Sequence, residues 1–171
     1  MTGLRLRQNL KLKETDLESL SYQGFVVAMQ LLKHREDAMD VVQDSLRKLV
    51  HGGKYNRKLG THRSWFLMVV RNGSLDVLRR RKPQDAKALA HEADNNQTPD
   101  VAAERNELTV LLKRELNSMP QEQQQIILLR DHQDLSYAEI AEVLAMPAGT
   151  VMSRLHRARN ELRNRMKKYM Q

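Results

Sequence analysis

DLSYAEIAEVLAMPAGTVMSRLHRAR, running from Asp134 to Arg159, decides the fold. Ser136 and Glu139 stand at the S-x-x-E spacing of a capping box, which satisfies the first backbone N–H groups of a helix and predicts a start near Tyr137. Ile140, Ala141 and Leu144 then recur at helical spacing. Ala145, Met146 and Pro147 interrupt that helix, because proline cannot continue the N–H ladder yet suits the beginning of the next one. A second helix is expected from Pro147–Thr150 onward. Two short helices joined by so tight a turn make a helix-turn-helix.

At about 100° per residue, Val151, Leu155, Ala158 and Leu162 of the second helix share one stripe, which must be buried. Ser153, His156, Arg157 and Asn160 fall opposite, with Arg154, Arg159 and Arg163 on the flanks. A face that mixes a hydroxyl, an amide and guanidinium groups can read base edges and grip phosphates. From Gly149 to Gln171 there are seven Lys/Arg against Glu161 alone. Arg165, Lys167 and Lys168 also suit the negative end of the helix dipole. A solvated helix face is the plain alternative; the docking logic of helix-turn-helix proteins favours DNA.

The rest of the chain agrees with an all-α protein. Aromatic residues are 4% of 171, glycines number seven and charged residues reach 29%. Helices are expected near 15–33, 36–50 and 63–81, then near 103–117, 120–131, 137–145 and 148–168. Between the two groups, Lys82–Asp100 holds two of the four prolines, little bulky apolar content and no sustained period. The expected layout is a mobile basic tail (1–14), a helical domain (15–82), a flexible acidic linker (83–102) and a helix-turn-helix domain (103–171).

Charge follows the same division. The net charge is +8. Residues 1–82 hold 17 Lys/Arg against 8 Asp/Glu, residues 83–108 hold 2 against 6, and residues 109–171 hold 10 against 7. Two basic blocks flank an acidic one, and the commonest polyanion partner of such blocks is nucleic acid.

Catalysis finds no support. There is no cysteine, none of the six histidines sits in an H-E-x-x-H pattern, and no phosphate-binding loop or G-x-S-x-G elbow appears. The expectation is a non-enzyme with no cofactor and no metal. No apolar run approaches the roughly 18 residues that span a bilayer, and no signal-peptide pattern opens the chain, so no membrane insertion and a cytoplasmic location are expected.

Two segments of the first half carry further patterns. In Asp37–Leu49, Asp40, Gln43, Asp44 and Arg47 share a polar face, while Met39, Val42, Leu46 and Leu49 are expected to face the core. In Arg63–Lys82, Trp65, Leu67 or Met68, Val69, Leu75 and Leu78 form the expected apolar face, and Arg71, Asn72, Asp76, Arg79 and Arg80 lie largely outside it. Gly73 interrupts that helix at a cost of about 1 kcal/mol relative to alanine, for no reason visible in the sequence.

Together, Leu116, Met119-Pro120, Leu129-Arg130, Leu135-Ser136-Tyr137, Glu139-Ile140-Ala141 and the Pro147–Arg159 string closely resemble region 4 of extracytoplasmic-function (ECF) sigma factors, a subfamily of sigma-70 RNA polymerase sigma factors. The resemblance implies a domain that binds the −35 promoter element in the major groove and the polymerase β flap. It points to Arg130, Tyr137, Ser153, Arg154, His156 and Arg157 as the DNA-contacting residues. Met152 departs from a position that is often basic in relatives, and Gln124 from one that is often arginine.

The first half resembles region 2 of the same family. Asp37-Ala38, Asp40 and Gln43-Asp44 are similar to its D-A-E-D-x-x-Q-E motif, which implies binding of the polymerase β′ coiled coil through Asp37, Asp40, Gln43, Asp44 and Arg47. Met39 and Asp44 stand where that motif has glutamates. Arg63–Lys82 resembles W-L-x-x-I-A-R-N-x-x-x-D-x-x-R-R, which engages the −10 element as single-stranded DNA. That implies −10 contacts by Arg71, Asn72, Asp76, Arg79 and Arg80, with Tyr55 and Asn56 of the preceding loop beside an extruded base. The implied partners are core RNA polymerase and promoter DNA. Many relatives are held inactive by an anti-sigma factor, which adds such a protein as a candidate partner. Two other readings stay open: a stand-alone helix-turn-helix regulator, and a polymerase-binding adaptor that does not recognise promoters.

Overall fold

The computed structural model describes residues 14–51, 60–81 and 107–170. The tail, the linker and the loop carrying Tyr55 and Asn56 lie outside these residues. The regular structure is helical throughout, as the composition predicts, with no strand among the described residues. Two compact units divide the chain, Met1–Asn96 and Gln97–Gln171.

The first unit holds α1 (Glu14–Leu32), α2 (Arg35–Val50) and α3 (His62–Arg80), each packed on the other two. Lys33 and His34 alone connect α1 to α2. Lys33 makes the reversal in the left-handed region, at φ 54°. His34 then caps α2, its Nδ1 accepting the Asp37 N–H at 3.4 Å. α3 opens on a capping box in which Thr61 and Ser64 each bond the other's backbone N–H.

The core of this unit corrects two expectations. On α2 the buried residues are Ala38, Val41, Val42, Ser45 and Leu49. Met39 is 41% exposed and Leu46 is half-buried. On α3 the buried set is Ser64, Phe66, Leu67, Val70 and Ser74, while Trp65, Val69, Leu75 and Leu78 are half-buried. The cause in both helices is a buried serine that hydropathy counts as polar. Ser45 donates to Val41 O at 2.7 Å and Ser74 to Val70 O at 2.9 Å, so neither hydroxyl is left unsatisfied. Phe66 anchors the unit with no exposed surface, a burial that contributes about 1.5–3 kcal/mol.

The structure also accounts for Gly73. A Cβ built there would lie 3.1 Å from Val41 Cγ1, so the glycine lets α3 approach α2. Gly24 does the same between α1 and α3, where the corresponding distance to Phe66 Cε1 is 2.8 Å.

The second unit holds α4 (Glu107–Asn117), α5 (Gln121–Ile127), α6 (Tyr137–Leu144) and α7 (Ala148–Met166), closed by a 3₁₀ turn at Lys167–Tyr169. The helix expected at 120–131 changes form. Beyond Ile127 it widens into a π turn, Leu128–His132, with Gln133 N–H donating to Leu128 O at 2.9 Å. Ile126, Leu129, Leu135, Ile140, Val143, Val151, Leu155 and Ala158 form the centre of the core. Leu162, expected on the buried stripe, is half-buried, and Met166 closes that end instead.

Gln124 is a structural residue. It is buried, and its amide donates to Asn117 O at 3.0 Å and Met119 O at 2.7 Å, closing the α4–α5 turn. A second tie joins the two ends of the unit. Glu115 of α4 is buried and accepts the Tyr169 hydroxyl at 2.6 Å and the Lys168 ammonium at 3.0 Å. The hydroxyl, and then the ammonium, hold the Glu115 carboxyl below its usual range.

Candidate nucleic-acid interface

The helix-turn-helix is built as the capping pattern predicts. Ser136 Oγ accepts the Glu139 N–H at 3.3 Å, and Glu139 Oε2 accepts the Ser136 N–H at 2.9 Å. α6 ends at Ala145, which takes the left-handed conformation at φ 52°. The Met146 N–H turns back to Ala141 O at 3.0 Å, satisfying a terminal carbonyl. Pro147 then caps α7, its carbonyl accepting the Thr150 and Val151 N–H groups at 2.9 and 3.1 Å.

Burial of Val151, Leu155 and Ala158 turns the opposite face of α7 outward. Met152, Ser153, Arg154, His156, Arg157, Arg159 and Arg163 are all exposed. Arg157 makes no hydrogen bond or ion pair with the described residues, so its guanidinium is available to a ligand. Ser153 donates to Thr150 O at 3.1 Å and keeps its oxygen as an acceptor. His156 and Asn160 pair at 2.9 Å. Two flanking arginines are tied across the domain, Arg154 to Glu122 at 3.0 Å and Arg159 to Asp131. These exposed pairs hold α7 against α5 and the π turn loosely, and exchange with phosphate is cheap.

Arg130 and Tyr137 lie outside α7 and are half-buried. Arg130 Nη1 donates to Leu135 O at 2.8 Å and to Asp134 Oδ1 at 3.2 Å, and its guanidinium carbon lies 5.5 Å from the Tyr137 ring centroid. The pair braces the segment between the π turn and α6. The sequence offers no sign of this brace.

In the first unit, α2 presents Asp40, Gln43, Asp44 and Arg47 to solvent together, with Arg47 and Asp44 paired at 2.5 Å. Asp37, one turn before Asp40, is half-buried. It pairs with Arg81, whose side chain is only 13% exposed and also donates to Leu32 O at 3.1 Å. Arg81 therefore pins the end of α3 to the α1–α2 turn, although it reads as one more cation in an arginine run. On α3, Asn72, Asp76, Arg79 and Arg80 are exposed and Arg71 is half-buried; Asp76 and Arg79 pair at 2.8 Å. Tyr55 and Asn56 fall outside the described residues.

Beside the α2 polar face runs an open apolar groove of about 630 Å³, lined by Leu17, Tyr22, Phe25, Met39, Val42 and Leu46. Met39 and Leu46 line this groove. Among the described residues no cluster of His, Asp and Glu could hold a metal, and no helix is long and apolar enough to cross a membrane.

A three-helix unit with a polar α2 face and a basic α3, together with a helix-turn-helix unit, places the chain among two-unit helical proteins with a DNA-binding motif. Comparison with known proteins gives the family. Residues 21–84 match Sigma-70 region 2 and residues 109–162 match Sigma-70, region 4. RNA polymerase sigma factor YlaC of Bacillus subtilis is 30% identical over 139 residues, covering 79% of this chain and 80% of YlaC. The ECF RNA polymerase sigma factor SigE of Mycolicibacterium smegmatis is 31% identical over 147 residues, covering 84% of this chain but 57% of SigE. The sigma factor RpoE of Bartonella quintana, solved with the anti-sigma factor NepR, shares the fold at a TM-score of 0.63 and 22% identity, over 90% of this chain and 96% of that one. The chain belongs to the ECF sigma factors of the sigma-70 family, transcription initiation factors that bind core RNA polymerase and promoter DNA.

Proposed function

We propose that the two units divide promoter recognition between them. Residues 15–82 dock on core polymerase and engage the −10 strand; residues 103–171 bind the −35 duplex and the polymerase flap; residues 83–102 link them. The polymerase carries out the chemistry, and this chain acts with it in the cytoplasm. The observation that carries the reading is the outward face of α7, where Ser153, His156 and Arg157 stand exposed together on a helix held by a capped turn.

On α2, Asp40, Gln43, Asp44 and Arg47 offer the β′ coiled coil a polar face. Asp37, paired with Arg81, extends that face. On α3, Arg79 and Arg80 follow the strand backbone while Asn72 meets an unstacked base; Arg71 and Asp76 complete that surface, and Tyr55 and Asn56 extend it. An anti-sigma factor is a candidate regulator, since RpoE of Bartonella quintana was solved with the anti-sigma factor NepR.

The test is transcription by core polymerase from a randomised promoter library, with and without the protein. Transcripts sharing a −35 and −10 pattern and appearing only with the protein support the reading. Polymerase binding without transcripts favours an adaptor, and DNA binding without polymerase favours a stand-alone regulator. In the same assay Asn72→Ala is expected to reduce permanganate reactivity at −10 and leave −35 occupancy unchanged.

A further inference from the structure

Met152 is the one large apolar side chain of α7 that is exposed, at 57%. It is the fifth residue of the helix, in the turn from which helix-turn-helix proteins reach base edges. Its surroundings allow close approach. Gly149, three residues earlier on the same side, has nothing within 4 Å of the position its Cβ would take. Ser153 beside it is small, and His156 one turn later is drawn toward Asn160.

A thioether has no hydrogen-bond donor, so Met152 contributes nothing to phosphate affinity. Its exposed apolar surface is unfavourable in water and is stabilised only when an apolar partner covers it. On the floor of the major groove the apolar group is the C5-methyl of thymine; the other base edges present donors and acceptors. The unbranched, polarisable methionine side chain adapts to such a contact.

We propose that Met152 reads the C5-methyl group of a thymine in the −35 duplex and so sets one position of the promoter preference. The inference rests on the assignment of α7 to the −35 element. The neighbouring Arg157 supplies charge and hydrogen bonds, whereas Met152 supplies discrimination without charge.

The experiment uses the full chain bound to core polymerase. The −35 duplex is first selected from a randomised library. Each thymine of the selected site, on either strand, is then replaced by uracil, which removes only the methyl group. One replacement is expected to weaken holoenzyme binding about fourfold, the order expected for a single buried methyl group. Met152→Ala should bind thymine and uracil duplexes equally, while Arg157→Ala should remain sensitive to the replacement. Met152→Arg should lose the sensitivity and select a different base. Circular dichroism melting verifies that each variant is folded.

Indifference of the wild type to every uracil overturns the proposal, as does a selected site without thymine. Retained uracil sensitivity in Met152→Ala also overturns it. All three leave −35 binding by α7 intact. If no −35 preference emerges from the library, the assignment of α7 itself fails, and the proposal falls with it.

Discussion

Gly24 on α1 and Phe66 on α3 meet so closely that a Cβ on Gly24 would lie 2.8 Å from Phe66 Cε1 and 3.0 Å from Cζ. Phe66 is wholly buried and cannot swing away. Gly24→Ala should therefore force the helices apart and destabilise the first unit by about 1–3 kcal/mol. Gly73 has a softer neighbour, a single Val41 methyl at 3.1 Å. Gly73→Ala should come out near neutral, because the gain in helix propensity of about 1 kcal/mol offsets the crowding. Trp65 is the only tryptophan of the chain and lies in α3, so its fluorescence during urea unfolding reports this unit alone. Equal effects from the two substitutions would contradict the difference in packing.

The acidic residues of α2 should separate by role. Asp37→Ala leaves the nearly buried Arg81 guanidinium without its carboxylate, and should lower stability by about 1–2 kcal/mol, between the values for surface and buried pairs. Asp40→Ala with Gln43→Ala should leave the tryptophan transition in place and weaken polymerase binding. A stability loss in the double variant, or unchanged polymerase affinity, would move the docking face elsewhere.

These roles mark how far the sequence reaches. The helix-turn-helix was legible because its signals are local: a capping box at Ser136 and Glu139, a proline at 147, and apolar residues one turn apart. Apolar faces were less legible in α2 and α3, since each core centre contains a serine whose hydroxyl bonds the preceding turn. Asp37 and Arg81 are 44 positions apart, and Arg130 works through the carbonyl of Leu135. Charge pattern alone cannot tell such a brace from a ligand contact. Gln124 read only as a departure from a position that is often arginine, and proved to close the α4–α5 turn.

Arg130 and Arg157 should behave differently for the same reason. Arg157 is exposed and has no partner among the described residues, so Arg157→Ala should leave thermal unfolding within about 0.5 kcal/mol of the wild type. It should cost about tenfold in −35 affinity, the order of one lost charged contact, and spare polymerase binding. Arg130→Ala removes the hydrogen bond to Leu135 O and the contact with Tyr137, so it should lower the melting temperature as well as DNA binding. Equal loss of DNA and polymerase binding in Arg157→Ala would sink its assignment.

The Glu115–Tyr169–Lys168 tie gives the second unit a pH signature. The folded Glu115 carboxyl has its pKa lowered, chiefly by the Tyr169 hydroxyl and then by Lys168. Its contribution is therefore complete above the unfolded carboxylate value and is lost as pH falls through the lower folded value. Lys168 is shifted the other way by Glu115 and then Tyr169, so its part persists until pH rises through its raised folded value. Glu115→Gln and Tyr169→Phe should both melt earlier than the wild type at pH 7. For Glu115→Gln, the gap should close as pH drops below about 4, where the unfolded carboxyl is already protonated. Melting curves by circular dichroism across that range test the tie. A gap that persists unchanged at low pH would mean that Glu115 acts through packing instead of charge.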